Sequence, residues 1–315
     1  MGHYYPNMKS PAYWRERMKD RDRRSRISED KLIARVNKHY RKAFNEITKE
    51  LNDFYIKYAT NNNITIAEAK QLLTPIEYMD LLERTSRLKE SFALTGSEYT
   101  LEELELLSNR RNITRLQALL DSIDMHLIET THNVQISIED HLSKMYQRSY
   151  KEALADAGVK HSEVINHRAI KEVIYYPYAG AMFSDRIWKN KRSLINFIKK
   201  DLTQGIIRGE SIQKMGKKLK DRERVTKYQA ERLIRTETNY NMTRGHVDGY
   251  KDSNLVYGVC VSVAGDERTC QDCIDHESEV VKLSDAVSGS TIPPFHWQSH
   301  PNCRCSVYPV FKDEM

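Results

Sequence analysis

The chain has 315 residues, of which 39% are apolar and 30% charged, and a formal net charge of +6. Apolar content below the usual ~45–50%, and charge above the usual quarter, argue against one thick globular core and for long solvated helices. No apolar run reaches the roughly 18 residues of a membrane span. Met1-Gly-His-Tyr-Tyr-Pro6 lacks the regions of a secretion signal, so folding in a cytoplasm is expected.

In chain order, residues 1–27 read as a basic N-terminal arm or a frayed helix, with Tyr13 and Trp14 as anchors. Ser28 followed by Glu29 and Asp30 looks like a helix start, where unpaired N–H groups and the dipole favour acids. Ile33, Val36, Tyr40, Phe44, Ile47, Leu51, Phe54 and Tyr58 then recur at steps of three and four, the mark of one helix with an apolar seam. Three Thr-x-x-Glu capping boxes follow: Thr65 with Glu68, Thr74 with Glu77 (Pro75 at the first helical position), and Thr100 with Glu103. The last opens a leucine pattern through Leu104, Leu116, Ile123 and Leu127 that runs on to Leu154, with a break expected near Thr130–Asn133 and closure at Ala157-Gly158. At this spacing core packing is expected, not a ligand pocket.

Residues 175–183 read as a loop. Helices are expected over roughly 185–204, 210–220 and 224–250, with Gly205 and Gly209 bracketing a turn. Arg235-Thr-Glu237 resembles a catalytic pair, but Glu231 and Arg235 form an ordinary i,i+4 pair on a helix, and a structural role is expected. After Asn254 the texture changes. Val256 to Val263 alternates and is β-branched, as a strand is, and a second short strand is expected from Cys305 to Val310. The fold class expected is mainly α: an extended helical arm and bundle, then a small α+β zinc-stapled C-terminal module. The divisions are 1–27, a long-helix region over 28–174, a second helical region over 175–254, and the small module over 255–315.

From Arg186 to Arg224 there are 13 basic residues against 4 acidic ones, while the chain outside this band and the arm is acidic. Lys189, Lys191, Arg192, Lys199, Lys200, Lys217, Lys218 and Lys220 are the candidate surface for DNA or an acidic protein face. The alternative is a solvated helix face.

All five cysteines lie after residue 259, which in a reducing compartment argues for metal over disulfides. Cys270-Gln-Asp-Cys273 is a C-x-x-C knuckle, and His300-Pro-Asn-Cys303-Arg-Cys305 offers an imidazole and two thiols. Tetrahedral zinc takes four such ligands as two close pairs. Four of the five are expected to bind, with Cys270, Cys273, His300 and Cys303 as first choice and Cys305 next. In extended chain Cys303 and Cys305 face the same way. Cys260 reads as a core thiol, and His276 and His296 as possible substitutes. A module this small gains stability from a structural metal, and a Cys-rich set is a closed site.

Enzymatic readings fare poorly. The H-x-E of zinc deaminases is missing, and so are the Walker, GxSxG and HExxH motifs. A His-Asn-His-like metal-dependent nuclease using His276, His296 and Asn302 is the enzymatic alternative, and a zinc-ribbon DNA-binding regulator the other.

Asp266-Glu-Arg-Thr-Cys-Gln-Asp-Cys273, Pro293-Pro294 and His300-Pro-Asn-Cys-Arg-Cys305 together resemble the end of phage head morphogenesis proteins, the Mu F-like minor head proteins. Phe183-Ser-Asp-Arg-Ile-Trp188, Gly205-Ile-Ile-Arg-Gly-Glu-Ser211 and Leu233-Ile-Arg-Thr-Glu-Thr238 are similar to that family's preceding helical region, and Tyr13-Trp-Arg-Glu-Arg17 to the start of its Gram-positive-phage members. The resemblance covers about 175–310 well. It implies a virion protein, not an enzyme, present in few copies in the capsid interior or at the portal vertex. Its partners would be the portal and the major capsid or scaffold proteins, with packaged DNA as a further, non-specific one. Its roles would be procapsid assembly in the host cytoplasm, with no membrane involved, and DNA delivery. Some members carry fused toxin domains. Only residues 310–315 follow Pro309, so none is expected here.

Overall fold

In the computed structural model, residues 9–59, 64–159, 167–286 and 301–312 are described. The chain is mainly helical, with one small antiparallel sheet near its C-terminus, as the composition and patterning predict. It forms two compact units, neither a single stretch: unit 1 is Met1–Ile33, Ser137–Ser184 and Glu231–Met315, and unit 2 is Ala34–Ile136 and Asp185–Ala230.

Helix α1 runs from Pro11 to Tyr58, so it begins well before Ser28. Its start is set by Ser10, whose Oγ accepts the Tyr13 N–H at 3.2 Å, and by Pro11, which has no N–H to leave unpaired. The predicted apolar seam is buried from Ile33 to Phe54. Upstream it continues through Trp14, Met18, Arg21, Ser25, Glu29 and Leu32, all buried at steps of three and four. Half of those positions are polar, which hides the stripe from an apolar pattern.

Two of the three capping boxes form as read. Thr65 caps the short α2 (Ile66–Ala69) with Glu68 reaching back, and Thr74 does the same with Glu77 at the start of α3 (Pro75–Phe92). The third does not form. Helix α4 (Glu98–Ser108) starts at Ser97, whose side chain accepts the Thr100 N–H. Thr100 is buried and its hydroxyl meets His132 Nδ1 at 3.1 Å. Helix α5 (Arg115–Asp156) passes unbroken through Thr130–Asn133. The break falls at Asn109–Thr114 instead, where Asn112 has φ 51° and the Thr114 hydroxyl accepts the Gln117 N–H at 3.2 Å. Thr130, Thr131 and His132 are polar but buried, so they interrupt the sequence pattern and not the helix.

Unit 2 has two apolar clusters. One joins α1 (Phe44, Ile47, Leu51, Phe54) to α5 (Leu116, Leu119, Ile123, Leu127) and to α7 (Phe183–Ile207) and α8 (Ile212–Ser253) through Leu194, Ile198, Met215 and Leu219. Each such fully buried aliphatic side chain contributes about 1.5–3 kcal/mol. The other surrounds Trp188, which is fully buried, stacks on Tyr99 at 5.9 Å and donates its indole N–H to Gln135 at 2.7 Å.

The Gly205–Ser211 segment is a helix stop and restart. The Glu210 N–H bonds Gly205 O at 2.8 Å, Gly209 takes φ +59°, and the Ser211 hydroxyl accepts the Lys214 N–H at 3.4 Å. From there α8 is one helix, where two were expected. Lys220-Asp-Arg-Glu223 contains no breaker, and side-chain pairs such as Lys227–Glu223 and Arg224–Asp221 support the helix through it. Between α5 and α7 lie α6 (His167–Ile174) and a single 3-10 turn at Tyr178–Gly180.

In unit 1, α8 crosses α5 at very short range. A Cβ at Gly245 would sit 2.6 Å from Tyr146 O, and one at Gly249 2.6 Å from Tyr150 O. Tyr146 and Tyr150 donate their hydroxyls to Asp248 (3.0 Å) and Asp252 (2.6 Å), one turn apart. The first turns of α1 are held to α5 by buried charge. Arg21, 2% exposed, grips Asp156 with two bonds of 2.7 and 2.9 Å, and Tyr250 donates to the same carboxylate at 3.0 Å.

Candidate metal centre

The sheet that carries the cysteines has the order β2-β1-β3, with β1 Val256–Ser262, β2 Val280–Lys282 and β3 Ser306–Phe311, all antiparallel. Cys260 pairs with Tyr308 across β1 and β3 and is buried among Val259, Val261 and Val307. Burial raises its thiol pKa, as befits a core residue.

Beyond β1 the chain turns at Gly265, where φ is +68°. The Asp266 carboxylate accepts the Arg268 N–H at 3.0 Å, and the Thr269 hydroxyl accepts the Asp266 N–H at 3.1 Å. This turn delivers Cys270 to the N-cap of α9 (Gln271–Asp275), where its sulfur accepts the Cys273 N–H at 3.4 Å. Cys273 therefore lies on the first turn of α9, facing inward, with 2% exposure.

The opposite wall is the lead-in to β3. Asn302 takes φ 66° and donates its N–H to the Thr236 hydroxyl at 3.0 Å, while the Asn239 side chain donates to Cys305 O at 3.2 Å. Helix α8 thus fixes residues 302–305 from both ends. The two-residue alternation puts Cys303 and Cys305 on the inner side and Arg304 on the outer, where it pairs with Asp266. That pairing clasps the two walls, and the Arg304 hydrogen bond holds the Asp266 carboxyl well below the usual range.

The result is a knot of sulfur. Cys273, Cys303 and Cys305 are all buried, their sulfurs within 4.8 Å of one another and Cys273–Cys303 at 3.9 Å. A disulfide needs about 2.05 Å, so these are thiols. Cys270 packs against the group from its edge. The sulfurs of Cys303 and Cys305, and then burial, push the Cys273 thiol far above its ordinary range. Three thiolates cannot share this space without a cation to offset their repulsion, and a soft metal provides one.

Of the five candidate ligands, the structure gathers Cys273, Cys303 and Cys305, with Cys270 adjoining. His300 lies outside the described residues, as does His296. His276 caps the end of α9 and its Nδ1 hydrogen-bonds Glu279. Among the basic residues, Lys189, Lys199, Lys200, Lys217 and Lys220 are exposed and make no ion pair among the described residues. Arg192 is exposed and meets Glu103 at 3.3 Å, and Lys218 reaches Glu210 at 2.5 Å. Lys191 does not belong to a surface: it is buried between Asp124 (2.5 Å) and Glu103 (2.9 Å). Position 191 falls on the inner face of α7, and the count of basic residues does not see faces. Arg235 pairs with Glu231 at 3.0 Å as expected, and also with Glu29 and Asp30. Of the residues that hold the cysteine strand, Thr236 carries no sequence signal beyond its place in the Leu233–Thr238 motif, and Asn239 lies just outside that motif.

A family model described as phage Mu protein F like protein matches residues 196–308, from the middle of α7 through α8 to β3. This part of the chain is similar to that family. No curated protein and no solved structure matches the chain. Among the described residues no helix is long and apolar enough to cross a membrane.

Proposed function

We propose that the protein is a minor head protein of a tailed phage, joined to the portal or the inner capsid during procapsid assembly and acting through its surfaces, not by catalysis. The observation that supports it most is where the family match falls. It includes the stretch of α8 that grips the cysteine strand and the strand itself. Zinc is the metal proposed for the sulfur cluster. A Zn–S length of ~2.3 Å sets the edge of a sulfur tetrahedron near 3.8 Å, and Cys273 and Cys303 stand 3.9 Å apart. The exposed lysines of α7 and α8 would meet packaged DNA or an acidic portal face, with binding that is sensitive to salt and tolerant of sequence.

Quantitative mass spectrometry of gradient-purified procapsids and virions of the source phage tests the reading. A few copies per particle are expected; absence from both particles would overturn it. Magnesium-dependent plasmid cleavage that is lost in His276→Ala would instead favour the nuclease alternative.

A further inference from the structure

We infer that the metal is held by four cysteines, Cys270, Cys273, Cys303 and Cys305. The inference rests on the zinc reading above and goes further by closing the coordination shell.

Three places are given by the sulfurs already within 4.8 Å of one another. The fourth must come from a side chain that borders the group and presents a sulfur or nitrogen to it. Cys270 borders it, packed against the three, on the same short turn that positions Cys273. Its sulfur accepts the Cys273 N–H at 3.4 Å. The Arg304–Asp266 pair draws the turn that carries Cys270 toward the Cys303–Cys305 strand and keeps the arginine away from the sulfurs. The imidazole of His276, at the C-terminal end of α9, is engaged by Glu279.

A four-thiolate shell has no open position for water or substrate, so the metal is a staple and its chemistry is structural. It also selects a soft or borderline ion over magnesium or calcium.

The test is cobalt reconstitution of the full chain after chelation, read by the sulfur-to-cobalt charge-transfer absorption per bound metal. The intensity expected for the unaltered chain is that of four thiolates. His300→Ala leaves it unchanged, and Cys270→Ser lowers it by about a quarter or releases the metal. A spectrum that shifts in His300→Ala and holds in Cys270→Ser overturns the four-cysteine assignment while leaving the metal in place. A folded chain that retains neither cobalt nor zinc overturns the metal reading and this inference together.

Discussion

Replacing Gly245 and Gly249 with alanine places two methyl groups where α5 and α8 touch. Each new Cβ would lie 2.6 Å from a backbone oxygen of α5, with Ser149 Cβ at 3.0 Å or Ala153 Cβ at 2.8 Å close by. That is about an ångström inside ordinary van der Waals contact, and the obstacle is main chain, which cannot rotate away. Overpacking of this kind costs about 1–3 kcal/mol per site, and alanine returns about 1 kcal/mol of helix propensity at each. With the upper half of the range appropriate to backbone, the double variant should lose roughly 2–4 kcal/mol. Gly216, on the same helix, has nothing within 4 Å of its would-be Cβ, so Gly216→Ala should gain up to about 1 kcal/mol from propensity alone. Urea unfolding followed by far-UV circular dichroism measures all three proteins. If Gly245→Ala/Gly249→Ala unfolds at or beyond the midpoint of the unaltered chain, the close crossing does not constrain unit 1 and the argument is wrong.

The remaining predictions concern charge and metal. Arg21→Met leaves Asp156 buried with its main partner gone and should cost about 3–5 kcal/mol by the same unfolding assay; Asp156 and Tyr250 altered together with Arg21 should cost less than the separate losses combined. Burial opposes ionisation of Glu152, but the neighbouring His246, Arg21 and Arg24 outweigh it and hold its pKa at about 2. A carboxyl lowered in this way stabilises the fold above its ordinary value of 4.5, and that contribution disappears as pH falls toward 2. An acid titration of stability should therefore be shallower in Glu152→Gln over that window, and an unchanged slope would refute the assignment. Lys191→Met should destabilise unit 2 by a few kcal/mol, about 3–5 for a buried ion pair broken on one side, with DNA affinity unaffected; an affinity loss without a stability loss would return Lys191 to a binding surface. Chelation, or Cys303→Ser, should open residues after 254 to protease while helix content stays nearly intact, and unchanged protease resistance would count against the staple.

What the sequence makes legible here is chemistry that closes locally. The Thr65 and Thr74 boxes are complete within four residues, and both form. The Cys303–Cys305 alternation is equally local, and it puts both sulfurs on one side. The third box fails because Ser97 stands three residues before Thr100 and takes the cap, freeing Thr100 for His132, a partner 32 positions away. The start of α1 is hidden for a related reason. Arg21, Ser25 and Glu29 occupy core positions as polar residues: Arg21 and Glu29 pair with Asp156 and Arg235, both remote in sequence, and Ser25 donates to Glu29. The grip of Thr236 and Asn239 on the cysteine strand crosses 66 positions and is equally invisible to local pattern.

Trp14 packs at 6.4 Å from Phe311, and Arg15 donates to the Ser278 hydroxyl at 3.2 Å. These neighbours are 297 and 263 positions apart, the kind of long-range contact that slows folding. On the ribosome, the Trp14 indole is made long before the Phe311 ring that packs against it. Unit 1 can reach its native packing only after translation has passed Phe311. Until that moment the nascent chain exposes apolar surface of the kind that chaperones hold.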